Sequence, residues 1–371
     1  MNGSIAALLG DLAVVQTSPQ RRWAYSRAAA AIRDLEDPVQ SYVGKDGTLG
    51  KIRHVGPSSA RVIFEVLAQG TSPTVEQAVA SSGRRDAVQK SRGWRANFLT
   101  RSQVLAAIRQ SSPGSVSLRQ YRGDLQMHSV WSDGSQTLEA IVASGLERGY
   151  EYCAITDHSY GLPIARGLSM SGLAEQHAEV DRLNKRHRGG FRLLKGIEAN
   201  ILADGTVDMS ADELRQLEIV VAAPHAALRV AADQTERMLR AVRTPGVHIL
   251  GHPRGRKYGS RPGVSADWAQ VFAEAAARGV AVELDGDPTR QDIDHELARL
   301  AVDAGCLFAL DSDAHGTADL EFVATAIAHA RLAGIPAKRV INCWPVERLL
   351  EWTMISTMAP GAPSHPSREP R

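Results

Sequence analysis

Residues 123–134 read GDLQMHSVWSDG, from Gly123 to Gly134. A short apolar run, DLQMH, ends on His128, and Asp133 follows five residues later. The same pattern, a short strand-like run closing on a polar residue, returns in YCAITD, FRLLKGIEANI, EIVVAAPH, VHILGHP, VAVELDG and CLFALDSDAH. Between these runs lie SQTLEAIVASGLERGY, ADQTERMLRAVR, ADWAQVFAEAAARG and DHELARLAVDAG, whose apolar residues have the period of an amphipathic helix. Seven alternations of strand and helix predict an α/β fold with a parallel sheet closed into a barrel.

In such a barrel the C-terminal ends of the strands share one mouth, and chemistry collects there. The polar residues fall at those ends: His128 with Asp133, Asp157 with His158, Glu198, His225, His252, and Asp313 with His315. A single histidine after a strand is more often structural than a ligand. The argument is joint, because five of the seven strands end in histidine while the first 120 residues hold only His54. Imidazoles and carboxylates together suit Zn, Fe or Mn, with a carboxylate bridging two ions. Such ions bind a phosphate, lower the pKa of a bridging water and stabilise a leaving oxygen. His177, His187, His248, His295, His329 and His365 fall in helices, loops or the tail and are left out. The position two before His128, where a second histidine would make an H-x-H pair, holds Gln126. Its amide oxygen is a weak ligand for such ions.

The length of 371 residues suits two domains. The net charge of +2 hides an asymmetry: residues 1–120 carry 16 Lys and Arg against 8 Asp and Glu, the remainder 27 against 33. A basic, histidine-poor front suits a polyanion, and an acidic, histidine-rich back suits cations. Residues 1–110 read as helices, with apolar spacing in SIAALLGDLAVV, PQRRWAYSRAAAAIRDL, SSARVIFEVLAQG and LTRSQVLAAIRQ. Residues 111–120, SSPGSVSLRQ, read as a linker, 121–356 as the barrel, and the Pro-rich 357–371 as a disordered tail. Cys153, Cys306 and Cys343 lie far apart in apolar stretches, which fits a reducing cytoplasm and no disulfide framework. No apolar run approaches the roughly 18 residues of a membrane span. Asp11 interrupts the apolar start, and no basic segment precedes it, so no secretory signal is expected.

DLQMHSVWSDG, AITDHS, GIEAN, APH, GHPRGR and DSDAH, in that order, resemble the PHP domain (polymerase and histidinol phosphatase). The likeness is to that domain as it stands at the C-terminus of bacterial X-family DNA polymerases, and it spans about residues 121–350. It implies a distorted seven-stranded β/α barrel, a cluster of two or three divalent ions (Mn, Zn or Fe) and phosphoesterase chemistry. In those polymerases the domain is associated with 3′-5′ exonuclease activity and DNA-end processing. Carried over by position, the metal ligands are His128, Asp133, His158, Glu198, His225, His252, Asp313 and His315, with Glu198 as the bridge. Catalysis would turn on Glu198, His128 and Asp313. Two positions depart from the pattern: Gln126 replaces the first histidine, and Asp285 stands where the family has Asn.

The front, in AYSRAAAAIRDL and GTLGKIRHVGPSSARVIFEVLAQG, resembles the N-terminal helical domain of the same polymerases, with its helix-hairpin-helix. Such a hairpin offers backbone N–H groups and a helix N-terminus to a DNA phosphate. The expected DNA contacts are Gly56, Arg53 and Arg61, with Arg21, Arg22, Arg84 and Arg85 adding charge. The first hairpin glycine is replaced by His54, and the lysine of a deoxyribose-phosphate lyase falls on about Val62, so no lyase activity is expected. Only about 50 residues separate hairpin from barrel, too few for a polymerase palm.

Arg254, Arg256 and Lys257 after GHP, with Arg166 and Arg290 after other strands, are candidate phosphate binders, and plain surface charge is the alternative. Three functions follow. The first is a metal-dependent phosphoric ester hydrolase acting on DNA ends through a metal-activated hydroxide, with DNA as partner of the N-terminal domain and no membrane association. The second is a small-molecule phosphatase of the histidinol-phosphatase type. The third is a DNA-binding accessory module with a weakened metal site.

Overall fold

The computed structural model describes residues 1–110 and 114–358. Contacts divide the chain into two compact units: the first holds the residues up to 110 and the loop Lys257–Pro262, the second the remainder. Residues 359–371, most of the expected tail, lie outside the described residues, as do 111–113 of the expected linker.

The first unit is all helical: α1 (Asn2–Val15), α2 (Pro19–Arg33), α3 (Pro57–Gln69), α4 (Pro73–Ser81), α5 (Arg85–Trp94) and α6 (Arg101–Arg109). The helices begin where the sequence supplies caps. Ser18 and Ser72 each accept from the third residue on, each followed by a proline at the first helical position, and Thr100 forms a capping box with Gln103. Ile5, Leu9, Ile32, Val62, Ile63, Val66 and Val75 close a common core. Asp11, the acid in the apolar run of α1, is buried and paired with Arg92 at 2.6 Å and with Arg95. Between α3 and the sheet the described residues hold three helices and no strand ladder.

The second unit is the α/β barrel. It runs β1 (Gly123–Asp124), α7 (Leu138–Glu147), β2 (Tyr152–Ile155), α8 (Met170–Arg186), β3 (Arg192–Asn200), α9 (Ala211–Leu214), β4 (Ile219–Ala223), α10 (Thr235–Val242), β5 (Ile249–Leu250), α11 (Trp268–Arg278), β6 (Ala281–Asp285), α12 (His295–Ala304), β7 (Phe308–Asp311), α13 (Val323–Ala333) and α14 (Val346–Met358). The seven strands pair in parallel, in sequence order. The sheet is nearly closed. Where β7 meets β1, Leu125 N–H donates to Asp311 Oδ1 at 2.9 Å and His128 N–H to the Ala314 carbonyl at 2.8 Å.

Alternate strand residues, among them Tyr152, Ala154, Ile219, Val221, Ile249, Ala281 and Ala309, form one core with Ile341, Trp344 and Leu349. Helices α8, α11 and α13 lie against β3, β6 and the β6–β7 pair. Two strands are shorter than their apolar runs. In DLQMH the ladder ends at Asp124, because the next N–H groups go to side chains and to Ala314. In VHILGHP it ends at Leu250, before Gly251, His252 at φ 21 and Pro253.

Candidate metal centre

Because every strand runs the same way, the segments after β1, β2, β4, β5 and β7, together with the end of β3, open on one mouth. Glu198 stands there, 1 % exposed, with imidazoles around its carboxylate. Its Oε1 lies 2.9 Å from His252 Nε2 and 3.2 Å from His225 Nε2. Its Oε2 lies 3.1 Å from His158 Nδ1 and 3.3 Å from His128 Nε2. His128 Nε2 is also 3.1 Å from Asp313 Oδ1. Asp133, one-third exposed, places Oδ1 3.6 Å from His158 Nε2 and 3.5 Å from His315 Nε2. All eight residues expected as ligands therefore lie in one cluster.

Donor atoms of seven of them fall into three overlapping groups with the spacing of cation sites: His128, Asp133, His158 and His315; His158, Glu198 and His225; and His128, Glu198 and Asp313; His252 joins the cluster through Glu198. His128 Nδ1, His158 Nδ1, His225 Nε2, both ring nitrogens of His252 and Glu198 Oε2 are buried without a hydrogen-bond partner. Buried polar atoms are ordinarily satisfied, so this concentration of orphaned ring nitrogens around a carboxylate oxygen fits a site for divalent ions. The charge pattern agrees. Burial pushes the Glu198 carboxyl up, but the imidazoles of His158 and His225 outweigh it and hold it well below the usual carboxylate range. Asp133 is likewise held low, against burial, by His158 and His315.

A second set of groups holds these residues in place. Asp157, next to His158, accepts from Ser129 N at 2.7 Å, from Ser129 Oγ and Gln176 Nε2 at 2.6 Å, and from Ser132. It thereby pins the loop that carries His128 and Asp133. Gly134 closes that loop against the His128 carbonyl, where an added Cβ would stand 2.3 Å from the oxygen. His225 Nδ1 pairs with Asn200 Oδ1 at 3.1 Å, which fixes the ring as ligating histidines require. Gln126 is fully buried, and its amide faces Glu283, 3.1 Å from one carboxyl oxygen. Glu283 also accepts from His252 N–H, and burial followed by the charges of Asp311 and Asp285 raises its carboxyl well above the ordinary value. Glu283 and Asn200 were not singled out in the sequence. The signal for Glu283 was there: in VELD the two acids sit two residues apart, on one face of a strand.

The expected phosphate binders separate. Arg254 is one-quarter exposed and pairs with Asp294 at 3.0 Å. Arg256 is buried, 2.8 Å from Asp294 and donating to the carbonyls of Arg290 and Gln291. Arg166 is exposed in the loop after β2, at φ 57. In the first unit Arg53, Gly56 and Arg61 are exposed around the start of α3, and Val62 is fully buried. His54 takes the left-handed φ of 63 that a hairpin glycine would adopt, with its ring 2.6 Å from Arg27. Cys153 and Cys306 are buried and all three cysteines are free. No helix among the described residues is long and apolar enough to cross a membrane.

Comparison with known proteins adds to this geometry. Residues 1–72 match the family described as helix-hairpin-helix domain. The chain is 36% identical over 228 residues to DNA polymerase/3′-5′ exonuclease PolX of Bacillus subtilis (strain 168), an alignment that covers 61% of this chain and 40% of PolX. It is 29% identical over 251 residues to the probable phosphatase YcdX of Escherichia coli (strain K12), covering 65% of this chain and 97% of YcdX. Among solved structures it resembles the histidinol phosphate phosphatase HISK of Lactococcus lactis, with 16% identity and a TM-score of 0.43 over 57% of this chain and 94% of that one. Residues 1–72 thus match a helix-hairpin-helix domain, and the chain is similar to PolX and to the probable phosphatase YcdX.

Proposed function

We propose that the protein is a metal-dependent hydrolase of phosphoric esters that acts on DNA ends, as a 3′-5′ exonuclease or a 3′-end-processing enzyme. The observation that carries the hydrolase reading is the single buried carboxylate of Glu198 set among four imidazoles. In this reading His128, Asp133, His158, Glu198, His225, His252, Asp313 and His315 hold two or three divalent ions of the Mn, Zn or Fe class. Such ions supply positive charge to the phosphoryl oxygens and make water a stronger nucleophile at neutral pH. The chain's own contribution is positional. Glu198, His128 and Asp313 fix the innermost part of the site, and Asp157 keeps the His128–Asp133 loop in place. Arg254 and Arg166, on loops after β5 and β2, are the candidates to orient a phosphate. Arg256 supports that role from behind, through the loop it braces.

The DNA part of the reading is supported by the helix-hairpin-helix match, the excess of basic residues before position 120 and the similarity to PolX. Residues 1–110 would hold DNA through Arg53, Gly56 and Arg61, and residues 121–356 would carry the chemistry. Three free cysteines agree with a reducing, cytoplasmic setting. A small-molecule phosphatase is the second reading, favoured by the alignment along 97% of YcdX.

One set of assays decides. The full chain, stripped and reloaded with Mn²⁺, is given end-labelled DNA and small phosphate esters, with His128→Ala as control. Nucleotide release that disappears in the variant is expected. Turnover of small esters alone selects the phosphatase, and DNA binding without turnover of either selects an accessory module.

A further inference from the structure

The turn that follows β6 brings a cation against the metal centre. Arg290, 21% exposed, places Nη2 3.2 Å from Asp313 Oδ2 and Nε 3.7 Å from Asp285 Oδ2. The same nitrogen is 3.6 Å from Asp287 Oδ2. Asp313 divides its two oxygens, one toward Arg290 and the other toward His128 Nε2 at 3.1 Å. Asp285 and Asp313 are 1% and 5% exposed, so neither carboxylate has bulk water to neutralise it. The turn is braced. Asp285 and Asp292 exchange backbone hydrogen bonds, Asp287 N–H donates to Asp285 Oδ1 at 2.7 Å, and Arg256 ties the Arg290 and Gln291 carbonyls. A guanidinium held this way works as a fixed charge.

We propose that Arg290 is a positioning residue of the metal centre: it engages Asp285 and the outer oxygen of Asp313, leaving Asp313 one oxygen for an ion and keeping Asp285 from becoming a further ligand. The inference rests on the metal-dependent reading above and deepens it. A positive charge beside a divalent ion opposes binding, and a negative one favours it. Removing Arg290 would also free two carboxylate oxygens, converting an imidazole-rich site into a more oxygen-rich one suited to Mn²⁺ and Mg²⁺. Charge and ligand count therefore push in the same direction.

The test is a cycle on the full chain, stripped by chelation and titrated calorimetrically with Mn²⁺ and then Mg²⁺, with bound metal counted by mass spectrometry. Arg290→Gln is expected to bind Mn²⁺ about tenfold tighter or to take an additional equivalent, and to gain Mg²⁺ binding. Asp285→Asn is expected to bind Mn²⁺ about tenfold more weakly, the lower end of what groups behind a ligand contribute. The double variant should return close to wild type. A purely structural role predicts losses in both single variants, and that outcome overturns the inference. So does a folded Arg290→Gln protein with unchanged binding. If Arg290→Gln does not fold, Asp285→Asn still decides: unchanged or tighter binding overturns the inference. Wild-type protein that binds neither Mn²⁺ nor Zn²⁺ removes the metal-dependent reading and this inference together, whereas normal wild-type binding with like-signed variants removes the inference alone.

Discussion

Glu198 Oε1 lies 2.9 Å from His252 Nε2, two residues brought together from β3 and the loop after β5. With His225, His158 and His128 also on this carboxylate, its removal undoes four imidazole pairings at once. Glu198→Gln is therefore expected to lower bound Mn²⁺ or Zn²⁺ to below one equivalent and phosphoesterase activity by about 10²–10³-fold. Metal analysis of the dialysed protein beside an ester-hydrolysis assay checks this, and full metal content in the variant would contradict it.

Stability should fall as pH rises when metals are chelated. Asp124 and Asp311 are both buried where β1 meets β7. Burial raises both carboxyls above the ordinary 3.8, and the neighbouring charge of Asp311 raises Asp124 further. The folded chain thus keeps a proton that the unfolded chain releases above pH 3.8. The stabilisation is complete below that pH and is lost as pH climbs through the raised folded values. Each proton contributes a slope of about 1.4 kcal/mol per pH unit in that window. Urea denaturation from pH 4 upward should show the decline, and Asp124→Asn should remove about one proton's share of it.

Arg254 and Arg256 share Asp294 but should respond differently to truncation. Arg256 is 4% exposed at its side chain and Arg254 25%. Arg256→Ala should cost about 3 kcal/mol, because a buried carboxylate loses one of its two guanidinium partners and the carbonyls of Arg290 and Gln291 lose a donor. Arg254→Ala should cost less than about 1 kcal/mol and mainly raise KM for a phosphorylated substrate. Urea melts and steady-state kinetics separate the two, and equal stability losses would refute the distinction.

Binding of duplex DNA should weaken with salt. Replacing Arg53 and Arg61 together by Ala should lower the slope of log K against log salt by about 2, one unit for each phosphate contact. Fluorescence anisotropy at several NaCl concentrations measures it. An unchanged slope would move the DNA contact away from α3.

Much of this was legible in the chain itself. Strand–helix alternation gave the parallel barrel, and histidines closing DLQMH, EIVVAAPH and VHILGHP marked the mouth, because direction along parallel strands is a property that sequence order carries. Capping residues such as Ser18, Ser72 and Thr100 likewise set where helices begin, since a cap acts within a few residues. What order along the chain does not carry is distance across it. That Gln126 faces Glu283, that Arg256 is spent on the Arg290 turn while Arg254 keeps a quarter of its surface, and that Arg290 reaches Asp313 all depend on separate strands closing into one sheet. The same closure leaves ring nitrogens of His128, His158, His225 and His252 buried and without hydrogen-bond partners. Local sequence chose the donor atoms; only closure of the barrel decided which of them share a carboxylate.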